Sequence, residues 1–295
     1  MSSPLPEGWK YPLSLADGCS WFFAAANAEA GPIVSRLLDV MQLLGRIPAV
    51  SPPPGIVRRL LVSVDPRPPE ASPFSCDARL PSEAEGTVRC VLPSSGLDDQ
   101  LYCQLMQLSG VIAREAQVRG GILLHGALAE RDGVGVVLAA PGGTGKTTAS
   151  GRLPVPWRSL CDDTTLVVRD PRGNYLAHPW PTWSRFLYGG SGGCWDVQHA
   201  VPLGGIFLLC QAVEDSVEPV GAGQAVSLLV QCAHQASQLM SFGLGKKENR
   251  ALQLERFNNL CDLARVVPAH LLQISLTGAF WEEIERALEE RTARP

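Results

Sequence analysis

No stretch of this chain gathers several lysines or arginines together, so the basic footprint that a nucleic-acid-binding protein lays against phosphates is missing. No apolar run approaches the ~20 residues that a membrane span needs. The longest ones, "VGVVLAA" and "GGIFLLC", have the length of buried strands. The first residues, "MSSPLPEGWKYPLSL", lack the charged start and apolar block of a secretory signal. No C-x-x-C pair occurs, and the cysteines number nine, an odd count. Both facts argue against a disulfide framework and against a structural zinc site. Small buried thiols in a reducing compartment are expected instead, which makes the cytoplasm the expected location. Neither nucleic acid nor membrane is an expected partner, and no internal repeat is visible.

What is present is a globular balance, 45% apolar and 18% charged over 295 residues, enough for one large domain or two modest ones. "WKYPLSLADGCSWFFAAA" predicts two strands about an Asp17–Gly18 turn. Val34, Leu37, Leu38, Met41 and Leu44 fall at helical spacing, and "VRRLLVSV" predicts another strand. Residues 65–86, rich in Pro, Ser and acid, predict an exposed loop. A helix follows, with Asp98 or Asp99 as cap, Leu101, Leu105, Leu108 and Ile112 in a stripe, and Gly120–Gly121 as its end. Its onset sets a domain boundary near residue 95. The expectation is a small α+β domain over 1–95, suited to recognising a peptide or partner, and an α/β domain over 96–295. Strands are expected in "SLCDDTTLVVRDPRGNYLA", "GGIFLLC" and "HLLQISL". A closing helix carries Phe280, Ile284 and Leu288 on one face.

Inside the second part stands "AAPGGTGKTTAS", Ala139–Ser150. It matches the phosphate-loop pattern G-x-x-x-x-G-K-S/T except that Ala140 stands where the first glycine belongs. A phosphate cradle needs a strand, a glycine-rich turn and a helix start, so that free N–H groups face the anion; all three are expected here in that order. Gly142, Gly143 and Gly145 let the backbone take positive φ and approach a ligand closely. The candidate nucleotide contacts are therefore Gly142, Gly143, Thr144, Gly145, Lys146, Thr147 and Thr148. Lys146 reaches the β- and γ-phosphates of ATP, and the Thr147 hydroxyl ligates Mg2+. Pro154 and Pro156 predict that the helix behind the loop is short.

Beyond this loop, the strand "RSLC" delivers Asp162 and Asp163. Neighbours at a strand end point to opposite sides, so one carboxylate can face a metal and the other an acceptor hydroxyl. A turn-forming Asp pair is the plainer alternative. His125 precedes the hairpin that leads into the loop, and a lone histidine is more often structural than catalytic.

The stretch "LLHGALAERDGVGVVLAAPGGTGKTTASGRL…SLCDDTTLVV" resembles the HPr kinase family and, more distantly, phosphoenolpyruvate carboxykinase, whose "G-T-G-K-T-T" loop is echoed by Gly143–Thr148. The resemblance implies a P-loop kinase fold with a mixed sheet, ATP and Mg2+ as cofactors, and assembly into a homo-oligomer. It gives Lys146 and Thr147 the ATP and metal contacts and makes Asp162 the general base. Asp163, with Thr147, serves the metal, and His125 supports the base. Its specific part runs from about residue 120 to 170. The segment by which HPr kinases grip the HPr protein is not recognisable after Tyr175. "W-x-Y-P-L-S-L", "HPWPTWSRF", "VPLGGIFLL" and "LTGAFWEEIERAL" make the whole chain look more like kinase-like proteins of peptide-maturation cassettes, the SynChlorMet cassette protein ScmC and lasso-peptide kinases among them. The implied reaction is phosphorylation of a Ser or Thr hydroxyl on a ribosomally made peptide or small protein.

"HPWPTWSRF" carries Trp180, Trp183 and Phe186 among stiffening prolines. It reads either as rigid area for gripping a peptide or as a loop packed on the core. Arg185 is a candidate clamp for the transferring phosphoryl group. Gly189–Gly193 reads as a mobile loop, and His178, His199, His234 and His270 as structural. Two rival readings stand beside the peptide kinase: a kinase of a small hydroxyl-bearing metabolite, and a nucleotide-binding regulatory or peptide-delivery module without transfer activity.

Overall fold

The computed structural model describes residues 10–44, 55–65, 77–78, 86–94, 98–238 and 244–292. β1 (Lys10–Ser14) and β2 (Cys19–Ala25) form the expected hairpin. Gly18, at φ 79°, turns it in a conformation that a Cβ would oppose. α1 (Ala30–Val40) leads across to β3 (Ile56–Asp65), which runs parallel to β2. Arg58, Leu60, Val62 and Val64 are buried at every second position of β3, the period of a strand with one covered face. β4 (Asp77–Ala78) and β5 (Thr87–Pro93) complete a sheet of order β1-β2-β3-β5-β4. Most of the loop expected over 65–86, and the side chains of Asp98 and Asp99, lie outside the described residues.

α2 (Asp98–Val118) packs on α1 and on the second sheet. Its Leu105, Leu108, Ile112 and Ala116 are sealed from solvent. Several buried polar groups of this helix find partners: Glu115 accepts from Arg58 and Arg119, and Gln117 donates to Leu252 O, whereas the buried Gln107 carboxamide has none among the described residues.

The second sheet begins with β6 (Ile122–Arg131) and β7 (Val134–Ala139), a hairpin whose turn residues Asp132 and Gly133 both have positive φ, as two-residue hairpin turns demand. α3 (Lys146–Arg152) follows and stops before Pro154. Next come β8 (Arg158–Cys161), β9 (Thr164–Arg169), β10 (Tyr175–Trp180), β11 (Val201–Gln211) and β12 (Ser216–Val220). α4 (Ala222–Ser237), α5 (Lys246–Val266), β13 (Ala269–Ile274) and α6 (Phe280–Thr292) close the chain. The strand order is β10-β9-β6-β7-β11-β13-β12 with β8 on β6, and β10 also meets β11, so part of the sheet curls shut. The sheet is mixed: β7, β11 and β13 run parallel while β6, β8, β9 and β10 pair antiparallel. Phe280 and Ile284 of α6 pack with Leu138, Phe207 and Leu272 in a core of their own, with Leu288 at its margin.

The molecule is therefore a mixed α/β fold whose two sheets are joined by buried contacts. One hydrophobic cluster runs from Trp21 and Leu60 through Leu108 to Leu124, Val201 and Leu260. Arg119 donates to Asp17 at 2.7 Å, and the Ala16 N–H donates to His178 Nε2 at 3.1 Å. His178 is fully buried, and burial lowers its pKa. Among the described residues no helix is long and apolar enough to cross a membrane.

Candidate functional site

β7 ends in the core and releases the glycine-rich loop at the carboxyl ends of β7, β11 and β13. Ala140 is 1% exposed and packs with Leu138, Ala149 and Phe207. Its methyl group faces the core, and its φ is not positive, so a glycine is dispensable there. Gly143 and Gly145, at φ 81° and 99°, are the positions where a side chain would strain the turn. Thr144 Oγ1 donates to Pro141 O, and Gln211 of β11 donates to Thr144 O, which ties the loop to the neighbouring strand.

Lys146 opens α3 but is 5% exposed. Its ammonium folds back across the loop and donates to Ala140 O at 3.0 Å and Pro141 O at 3.2 Å. It stands 3.9 Å from Asp163 Oδ1. Burial pulls its pKa below the ordinary lysine value, and the charge of Asp163 offsets only part of that. Thr147 and Thr148 are exposed beside it.

The two aspartates sit in the bend between β8 and β9, which the Cys161 thiol closes by donating to Thr164 O. They face different partners. Asp162 Oδ2 accepts from Arg185 Nη2 at 2.7 Å and Nε at 3.2 Å, and the Thr147 hydroxyl lies 3.4 Å away. Its Oδ1 accepts from the Thr182 hydroxyl at 3.1 Å. Asp163 Oδ1 accepts from His125 Nε2 at 2.7 Å. Burial pushes the Asp163 carboxyl up, but the bond from His125 and the charges of His125, Lys146 and Arg185 outweigh it and hold the pKa below the usual aspartate value. The other ring nitrogen of His125 faces the Gln235 carboxamide of α4 at 2.9 Å. The backbone holds this arrangement too: the Gly126 N–H donates to Asp163 O, and the Thr165 hydroxyl to Gly126 O.

All the motif residues thus converge. Thr182 and Gln235 are functional candidates that the motifs did not flag. Thr182 lies within "HPWPTWSRF", a signal that could have found it; Gln235 lies 110 positions from His125 with no local pattern to betray it. Trp180, Trp183 and Phe186 are not exposed platforms: they are 1%, 6% and 6% accessible, and Trp183 Nε1 donates to Ser109 Oγ at 2.9 Å. Trp180 and Trp183 nonetheless wall a cavity of 230 Å³ that reaches His125 and Asp163. The 189–193 glycines turn back on the preceding segment, Gly192 N–H donating to Arg185 O and Gly190 N–H to Leu187 O. A roomier hollow of 500 Å³ beside Trp157 holds none of these groups, and its Glu285 is engaged by Arg131 and the Trp157 indole. Among the described residues no three His, Cys, Asp or Glu side chains stand close enough to hold a metal ion by themselves.

No curated protein matches the chain. The family described as SynChlorMet cassette protein ScmC matches residues 88–289, well over half of the 295 and inclusive of every residue placed in the site above. The chain belongs to the ScmC family of SynChlorMet cassette proteins.

Proposed function

We propose that this chain is a phosphotransferase of the HPr-kinase-like type, which uses ATP and Mg2+ to phosphorylate a Ser or Thr hydroxyl on a ribosomally made peptide or small protein. One observation carries the reading. A loop lysine stands 3.9 Å from Asp163, beside a hydroxyl–carboxylate pair (Thr147 and Asp162) and a histidine–carboxylate pair (His125 and Asp163), each within hydrogen-bonding reach. They lie at the carboxyl ends of parallel strands, where open α/β sheets take their ligands.

The N–H groups of residues 142–147 form the cradle for the phosphates. α3 has seven residues and contributes only a short dipole, so loop amides and Lys146 supply most of the attraction. Lys146 exchanges two carbonyl acceptors for phosphate oxygens, a charge-assisted and stronger partnership. Thr147 and Asp162 offer hard oxygens, as Mg2+ requires. An ion that keeps waters and phosphates as ligands needs little more than one carboxylate from the protein. An Mg2+ held by Thr147 and Asp162 would supply neutralising charge for the phosphates.

The distances favour a division of labour opposite to the one the resemblance implies: Asp162 serves the metal position with Thr147, and Asp163, oriented by His125, serves the acceptor. In the transfer the acceptor oxygen bonds to the γ-phosphorus while the bond to the β,γ-bridging oxygen breaks, and ADP leaves with that electron pair. The hydroxyl proton passes to Asp163. Arg185, freed from Asp162, reaches the γ-phosphoryl oxygens as charge develops on them. The test is intact-mass measurement of a pool of Ser- and Thr-containing peptides after incubation with MgATP and the wild type, Lys146→Met or Asp163→Asn protein. Phosphorylated peptide with the wild type alone is the expected result. No phosphorylated peptide in any reaction sinks the kinase reading, and undiminished product with Asp163→Asn sinks the role given to that residue.

A further inference from the structure

The 230 Å³ cavity is lined by His125 and Asp163 but not by Lys146, and lies between α2 and the segment that follows β10. Met106, Gly110, Leu123, Trp180 and Trp183 form its walls. Two polar groups of that wall are satisfied within it: the Trp183 indole donates to Ser109 Oγ, and Ser109 Oγ donates to Met106 O at 2.9 Å. No lysine or arginine lines it, while Asp163 contributes a negative charge. Its volume falls below the ~300–1,000 Å³ of pockets that engulf a whole drug-sized ligand. An anion entering it would meet the Asp163 carboxylate and no lysine or arginine in the wall, and a charge without a partner in such a place is costly.

We propose that this cavity is the acceptor site, and that it takes an uncharged, hydroxyl-bearing side chain presented by a peptide with apolar residues on either side of it. The inference rests on the kinase reading for its chemistry, and adds the class of acceptor. A hydroxyl entering between Trp180 and Trp183 reaches Asp163, the carboxylate that Lys146 of the loop also approaches, at 3.9 Å. Flanking apolar side chains cover the surfaces of Met106 and the two indoles. Phosphorylated or carboxylate-rich metabolites are excluded by the same walls. Ser184 stands exposed at the rim, where a new charge alters selection without entering the core.

The test uses two synthetic hexapeptides with one central serine, flanked by leucines in the first and glutamates in the second, and γ-labelled ATP. The wild type should favour the leucine peptide in kcat/KM by at least about tenfold, since juxtaposed like charges cost more than that factor. Ser184→Arg should bring the two within about threefold. Quenching of tryptophan fluorescence, with Trp180 and Trp183 in the wall, reads binding without requiring transfer. Phosphorylation of both peptides at equal rates, or a ratio unmoved by Ser184→Arg, overturns the acceptor site while leaving the kinase reading intact. Quenching by the leucine peptide alone, with phosphate passed to neither, upholds the site and overturns the kinase reading. Neither quenching nor transfer overturns both.

Discussion

At the scale of single residues, Lys146 is held against its own preference. Its ammonium is buried, is satisfied by two carbonyls of the loop, and has its pKa lowered by burial. Removing the ammonium relieves that burial, but it also takes a cation from beside Asp163 and a donor from two loop carbonyls, and breaking one side of a buried pair is destabilising. Lys146→Met should therefore melt below the wild type in thermal denaturation, and an unchanged or higher midpoint would contradict this account of the lysine. Asp163 has a folded-state pKa below the ordinary aspartate value, so its ionised form adds stability that is fully present above about pH 4 and is lost as pH falls through the folded value. The urea midpoint of the wild type should drop through that acid window more steeply than that of Asp163→Asn; parallel curves would refute it. Lys146, Thr147 and the aspartates were legible because the phosphate-loop pattern and the Asp pair after it lie within short, local spacings. Gln235 was not, because it reaches the site from a distant element on which nothing but the finished packing selects it, whereas Thr182 lay within the aromatic motif "HPWPTWSRF".

At the scale of elements, Gly126 pins three strands. An added Cβ would lie 2.8 Å from Val137 Cγ1 and 3.2 Å from Leu138 O, while its own backbone bonds bridge β6 to the Asp163 bend and to Thr165 of β9. Gly126→Ala should cost about 1–3 kcal/mol by overpacking, measured as a lower urea midpoint. It should also slow phosphoryl transfer, since it moves His125. Unchanged stability would mean that β6 and β7 part without strain. Most strands and α6 were readable from their periods, and Pro154 correctly marked the end of α3. α5 escaped because its buried face includes Arg256 and Asn259, which interrupt an apolar stripe; Asn259 is there to donate to Gln117 O and Gly121 O. The aromatic segment after β10 left two readings open. Its tryptophans are packed in the core and yet front a cavity, an outcome that depends on where α2 lies and so could not be seen locally.

At the scale of the whole molecule, the boundary expected near residue 95 falls at the start of α2. That helix packs on the second sheet and is tied to the first by Arg58–Glu115 and by Gln104 donating to Pro93 O. Arg119 is a further charged tie between them, pairing with Asp17, whose side chain is 2% exposed. Arg119→Met leaves that carboxylate buried and unpaired, at a cost of about 3–5 kcal/mol. Both sheets should respond together, because their hydrophobic cluster is continuous, so urea unfolding should follow one transition by tryptophan fluorescence and by circular dichroism. Two separated transitions would show that residues 1–95 and 96–295 fold as independent units. The central claim concerns the loop, and calorimetric titration of MgATP into the wild type and Lys146→Met tests it most directly. Saturable binding by the wild type that is lost in Lys146→Met is the predicted result. No binding by the wild type, or equal binding by both proteins, would contradict it.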